Sequence, residues 1–175
     1  MGQERAKPVI DKFLGDYEQA VDGKGRVSVP SPIRSIVSRR DPDYSEGQRA
    51  NFVVVYGSPS WERLECYPID EYTKITRGIE KMKRGTPERN RAQKLFFSRA
   101  FHAQIFEDGR ILLPQSHRER LGLTEKVRFV GLGDQFNIVR AGSGDDGMSD
   151  DDFDAWLNEQ EEGHVLSLIP DIDDE

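Results

Sequence analysis

The 175-residue chain has a single cysteine, Cys66, so no internal disulfide can form. Cys66 stands in the apolar stretch Leu64 to Tyr67 and reads as a small buried side chain. Histidine is scarce too. His102, His117 and His164 share no metal-ligand spacing with one another or with Cys66, which leaves no candidate metal site. A spanning helix needs about 18 or more apolar residues in a row, and the sequence holds no such run. The opening MGQERAKPVIDKF is charged throughout and lacks the apolar centre of a secretory signal, so a cytoplasmic location is expected. Catalytic motifs are missing as well. Gly57-Ser58-Pro59-Ser60 does not fit a nucleophile elbow, and Gly131-Leu132-Gly133 lacks the third glycine of a dinucleotide fingerprint. Neither an enzymatic activity, a cofactor nor a small-molecule substrate is expected.

Lysine and arginine are absent from the C-terminal segment. From Ser143 to Glu175 there are 13 Asp or Glu and no Lys or Arg. The formal charge of −7 therefore divides into a body, residues 1–142, with 25 basic and 19 acidic side chains, and an acidic tail. A net positive body suits a polyanionic partner, and the average over the whole chain hides it.

The body contains a repeat. Asp22-Gly23-Lys24-Gly25-Arg26-Val27-Ser28-Val29-Pro30 returns 84 positions later as Phe106-Glu107-Asp108-Gly109-Arg110-Ile111-Leu112-Leu113-Pro114. Arg34 recurs as Arg118 at the same offset, and upstream Phe13, Tyr17 and Val21 recur as Phe97, Phe101 and Ile105. Each copy reads as strand, tight turn, strand and helix. Asp22-Gly23 is a strong hairpin signal and Gly25 can take positive φ. Val27 and Val29 then point to one face, Arg26 and Ser28 to the other. Ser31-Pro32 reads as an N-cap with proline in the first helical turn, Ser116 and Glu119 as a capping box, and Gly122 as the stop of the second helix. Further strands are expected at Phe52 to Tyr56, Leu64 to Tyr67, Val127 to Leu132 and Phe136 to Val139. A unit of this size has a marginal core by itself, so two are expected to interleave and share one.

Residues 38–51 are polar and turn-rich and read as a loop inserted after the first helix. Asp70 to Lys83 places Tyr72, Ile75, Ile79 and Met82 at helical spacing, and Thr86-Pro87 caps another helix with Ala92, Leu95 and Phe96 on its inner side. Residues 74–99 hold nine basic and two acidic side chains. In the tail, Phe153, Trp156 and Leu157 at helical spacing predict a terminal helix docked on the body, and Val165 to Ile169 is apolar between acids.

Taken together, the first turn from Asp22 to Pro30, Phe13-Leu14-Gly15 before it, Phe96-Phe97-Ser98 and the second turn from Gly109 to Pro114 resemble the MraZ family of bacterial transcription regulators. The resemblance implies an α+β, mainly β fold in which tandem swapped-hairpin, AbrB-like units form one pseudo-two-fold β-barrel with flanking helices. It divides the chain into a first SpoVT/AbrB-like repeat at 13–69, a helical linker at 70–95, a second repeat at 96–142 and an acidic C-terminal helix and tail at 143–175. It implies a nucleoid-associated regulator that binds double-stranded DNA at promoter direct repeats as a ring-shaped homo-oligomer and represses its own division and cell-wall gene cluster. An antitoxin-type protein-interaction module is the alternative. The family's DNA-contacting Asp-x-x-x-Arg turn maps onto Asp22 and Arg26, with Lys24 and Gly25 between them. Arg110 is the second-repeat counterpart, and Arg34 is a further DNA-binding candidate. The second turn has Phe106 where the first has Asp22, and Asp108 where the first has Lys24, so the first repeat is expected to read DNA and the second to be mainly architectural.

Overall fold

The computed structural model of the chain describes residues 10–142 and 149–170. Alternating residues between glycine turns build the first hairpin. Strand β1 (Asp16–Ala20) turns in Tyr17 and Gln19 and exposes the residues between them, and β2 (Arg26–Ser28) buries Val27 alone. After helix α1 (Ser31–Arg39) come β3 (Asn51–Val55) and β4 (Arg63–Pro68). Helix α2 (Ile69–Lys81) and the short α3 (Pro87–Gln93), which runs into a π-helical turn at Lys94–Ser98, lead to the second copy. That copy comprises β5 (Ala100–Gln104), β6 (Arg110–Leu112), α4 (Gln115–Leu121), β7 (Lys126–Gly131) and β8 (Phe136–Arg140). Two helices, α5 (Asp150–Glu159) and α6 (His164–Ser167), follow in the tail.

The strand order of the main antiparallel sheet is β1-β7-β8-β4-β3-β5, and β2 pairs with β6 in a separate two-stranded ribbon. Exchanging each strand for its counterpart in the other copy reverses this order without altering it, so the sheet has pseudo-two-fold symmetry. The copies interleave as expected: β1 pairs with β7 of the second copy, and β5 with β3 of the first. The hairpin corners link the sheet to the ribbon. Val21 bridges Val27, and Phe106 N–H donates to the Arg110 carbonyl at 2.8 Å, so each edge strand of the sheet continues into one strand of the ribbon. The fold is α+β and mainly β.

Side chains from both copies fill the interior. The Phe136 ring lies 5.0 Å from Phe13, 5.8 Å from Phe52 and 6.0 Å from Phe129, each pair offset or tilted as aromatic quadrupoles prefer. Cys66 is fully buried there, and burial pushes its thiol pKa up. The pseudo-symmetry lapses at one aligned pair, since Phe13 is in the core and Phe97 is exposed.

Helix boundaries differ from expectation in two places. Pro30 and Pro114 occupy the N-cap positions with φ near −55°, and their carbonyls accept from Arg34 and Arg118 N–H. α1 therefore begins one residue early and takes Ser31 into its first turn, and α4 begins two residues early and takes Gln115 and Ser116 into its first turn. The expected caps do not form: Ser31 makes no capping bond, and Glu119 accepts from Gln115 Nε2 instead of closing a box with Ser116. Gly122 does end α4, and Thr86 does cap α3 by accepting from Arg89 N–H at 3.3 Å. The tail helix is a further correction. Phe153, Trp156 and Leu157 of α5 remain about 40% exposed, and the helix is tied to the body by Asp150, which meets Arg128 at 3.0 Å. The tie of this helix to the body is electrostatic.

The end of α1 is held by charge. Arg40 is 7% exposed and its guanidinium reaches Asp70 at 2.9 Å, Asp134 at 3.1 Å and the Asp11 carbonyl at 3.1 Å, joining α1, α2 and the β7–β8 turn. Removing one member of such a buried cluster leaves its partners unpaired. Arg40→Ala is expected to destabilise the fold by about 2 kcal/mol, less than for a fully buried pair because both carboxylates reach solvent. Chemical denaturation followed by far-UV circular dichroism measures this, and an unchanged midpoint would show the cluster to be energetically neutral.

Candidate nucleic-acid interface

The β2–β6 ribbon sets Arg26 opposite Leu112, Val27 opposite Ile111, and Ser28 opposite Arg110. Directly opposed residues share a face and neighbours along a strand alternate. Val27 and Ile111 consequently point into the core, at 0% and 2% exposure, while Arg26, Ser28, Arg110 and Leu112 form the outer face. The local two-fold runs between the two buried side chains, so the arginines lie on a diagonal of the ribbon.

Glycine makes this ribbon possible. Gly25 and Gly109 have φ of +86° and +80°, and both are buried at the crossing of the two hairpins. The Gly25 carbonyl accepts from Leu113 N–H at 2.9 Å, and the Gly109 carbonyl accepts from Val29 N–H at 3.0 Å. A Cβ on Gly25 would stand 2.5 Å from Arg118 Nε and 2.8 Å from the Leu113 carbonyl, and one on Gly109 would meet the Arg34 guanidinium. Gly25 is thus a buried corner that aims its neighbours. Arg34 and Arg118 pack beneath the opposite copy's turn, so the structure places Arg34 away from the outer face that carries Arg26.

Asp22 clamps Arg26. Its carboxylate accepts from Arg26 N–H at 2.8 Å, Arg26 Nε at 2.7 Å and Lys24 N–H at 3.0 Å. The backbone bond from Arg26 is the main cause that draws the Asp22 pKa down to about 2, with the guanidinium and Lys24 N–H adding to it against partial desolvation. The pair is partly exposed, at 42% for the Arg26 side chain and 34% for Asp22. A fixed guanidinium keeps its remaining donors outward at low entropic cost, which is what bidentate recognition of a base edge or phosphate needs. Lys24 is exposed at the tip of the same turn, and its ammonium has no ion-pair partner among the described residues.

Sequence reasoning missed the second clamp. Asp108 accepts from Arg110 N–H at 3.1 Å and from Arg110 Nε at 2.8 Å, which are the same two donor groups that Asp22 holds in Arg26. The Arg110 side-chain bond is the leading cause of the lowered Asp108 pKa. Arg110 also comes within 3.8 Å of Asp22, so Asp22 lies between the two guanidinium groups. The acids of the second turn are neutralised locally. Glu107 accepts from Arg49 Nε at 2.9 Å, and the Arg49 guanidinium covers the Phe106 ring at 4.7 Å. Arg49 comes from the inserted loop, whose docking no motif signalled. Asp108 was hidden because its clamp is two residues from its arginine, whereas Asp22 is four away.

The chain is similar in sequence to known proteins. The family model described as "MraZ protein, putative antitoxin-like" matches residues 96–140, which is the second copy. A Cereibacter sphaeroides protein named transcriptional regulator MraZ is 38% identical over 140 residues, covering 76% of this chain and 82% of the relative. A Ruegeria pomeroyi protein of the same name is 33% identical over 127 residues, with 73% and 76% covered, and one from Rickettsia canadensis is 31% identical over 129 residues, with 74% and 81% covered. At that identity and coverage the chain belongs to the MraZ family.

The Asp22 clamp has a measurable signature. Its pKa lies below the 3.8 of an ordinary aspartate, so the ionised group favours the folded turn above about pH 4, and that contribution disappears as the pH falls through about 2. A carboxyl titration by NMR is expected to place the Asp22 midpoint near 2, and Asp22→Asn is expected to remove this component from the acid limb of stability. A midpoint near 4 would show that the clamp is not formed in solution.

Proposed function

We propose that this protein is a sequence-specific, double-stranded-DNA-binding transcription regulator that reads its site with the outer face of the β2–β6 ribbon. One observation carries the reading: Arg26, held by Asp22, and Arg110, held by Asp108, share the exposed face of a two-stranded ribbon. The major groove of B-DNA admits such a ribbon, and arginine paired with guanine O6 and N7 contributes about 1–3 kcal/mol of base discrimination. Lys24 at the rim of the turn is suited to phosphate. Leu112, 51% exposed beside Arg26, is suited to a thymine methyl group. Gly25 serves the interface by shaping the corner. The second copy thereby joins the first as a reader. Arg34 contributes from beneath the ribbon, by supporting the second turn.

The finer parts of the reading concern assembly and target. The chain divides into repeats at 13–69 and 96–142, a linker at 70–95 and an acidic tail at 143–175. A ring-shaped homo-oligomer would present one ribbon per chain along DNA, where direct repeats match the spacing and linkage turns weak contacts into avidity. The target is the promoter of its own division and cell-wall gene cluster, with repression as the outcome and a nucleoid-associated position in the cytoplasm. The relatives' name, transcriptional regulator, supports the general class. The antitoxin-like description of the family model favours, as a second reading, a module whose ribbon binds protein.

Titration on the DNA upstream of the gene, repeated at several salt concentrations, separates the two. DNA reading requires log K to fall linearly with log salt. Arg26→Ala is expected to lose about 10-fold or more of specific affinity with the oligomer intact by light scattering, since one bidentate contact is removed. Lys24→Ala is expected to weaken all sequences alike and reduce the salt slope by about 1. Unchanged affinity in Arg26→Ala would transfer the ribbon to the protein-binding reading.

A further inference from the structure

Arg34 and Arg118 occupy equivalent helix positions, yet only one is satisfied. Arg118 Nε donates to the Leu113 carbonyl at 2.9 Å. Arg34 Nε is buried with no acceptor, and its guanidinium makes no hydrogen bond or ion pair among the described residues. The other buried Nε without a partner, that of Arg120, belongs to a guanidinium whose two amino groups bond the Ser58 and Tyr56 carbonyls. Arg34 therefore stands out. A buried donor without an acceptor is costly, and for a charged group the cost is larger.

The environment of Arg34 is an open cleft of about 240 Å³, smaller than a drug-sized pocket and suited to a small metabolite. Arg34, Tyr44, Gln48, Phe106, Glu107 and Gly109 are among its walls. One wall is the inserted loop, residues 40–50, which the second copy lacks: its connection from α4 to β7 spans only 122–125. The loop is anchored, because Asp41 is buried and accepts from Asn51 N–H at 2.8 Å and Asn51 Nδ2 at 3.0 Å. The Tyr44 hydroxyl and the Gln48 side-chain amide add donors with no partner among the described residues. The one carboxylate in the lining, Glu107, is paired with Arg49 at 2.9 Å. Donors without acceptors, a cation without a counter-ion and a neutralised acid together describe a site for a negative group.

We infer that this cleft binds a small carboxylate- or phosphate-bearing molecule, whose anionic group pairs with the Arg34 guanidinium and the Tyr44 hydroxyl. The site sits under Gly109, so it shares a wall with the base of the ribbon but uses none of the outward-facing arginines.

Isothermal titration calorimetry on the full chain, with inorganic phosphate and separately with acetate at constant ionic strength, tests this. Saturable binding at one site per chain is expected for at least one probe: phosphate alone would indicate phosphorylated ligands, acetate alone carboxylates, and both a general anion site. Arg34→Gln is expected to weaken binding at least about 10-fold, as loss of a charge-assisted hydrogen bond does. Tyr44→Phe, which leaves the packing beneath Gly109 untouched, is expected to weaken it at least about 3-fold with an unchanged melting temperature. Arg26→Ala is expected to bind the probes as the unaltered chain does, whatever its effect on DNA. Absence of saturable heat with both probes, equal binding in Tyr44→Phe, or loss in Arg26→Ala would overturn the assignment.

Discussion

The two hydrogen bonds in which Val29 N–H meets the Gly109 carbonyl and Leu113 N–H meets the Gly25 carbonyl cross from one copy of the repeat to the other. They can form only because both glycines hold positive φ and leave room where a Cβ would strike the opposite copy's arginine. Once they form, β2 must lie beside β6, Val27 and Ile111 must face the core, and the arginine preceding each must face out. The interleaving of the six-stranded sheet and the exposure of the ribbon follow from the same crossing.

Electrostatics then divides labour among cations that look alike in the sequence. Arg26 and Arg110 are clamped by carboxylates and remain partly exposed. Arg40 is almost fully buried and spent on holding three elements together. Arg128 is bound by Asp16 and by Asp150 of the tail helix, and the Asp16 bond is the first cause of its raised pKa. Several carboxylates of the body, among them Asp16, Asp22, Asp70, Asp108 and Asp134, thus lie beside particular arginines and orient them. An acid beside an exposed arginine is compatible with a polyanionic partner when it fixes the side chain in place.

Departures from the repeat are where the two halves come to differ in structure. The inserted loop brings Arg49 to Glu107 and Phe106, compensating the second turn's acids, and walls the cleft at Arg34. Phe13 enters the core while Phe97 stays outside. The tail helix keeps its apolar residues exposed and touches the body through charge.

By itself the sequence determined the strands, the 84-residue register, both glycine corners, the start of α3, the stop of α4 and the buried Cys66, while the pair Asp22 and Arg26 came from the family resemblance. These depend on period, turn chemistry and short separations, all of which are local and therefore readable along the chain. What only the tertiary structure decided was everything set by contact between distant residues. Asp108 as a clamp, Arg34 beneath the opposite turn, Arg49 reaching across 58 positions to Glu107 and the tail helix that keeps its apolar residues exposed are of this kind. Charge acts through space, and an arginine's partner is whichever acceptor the fold brings within about 3 Å.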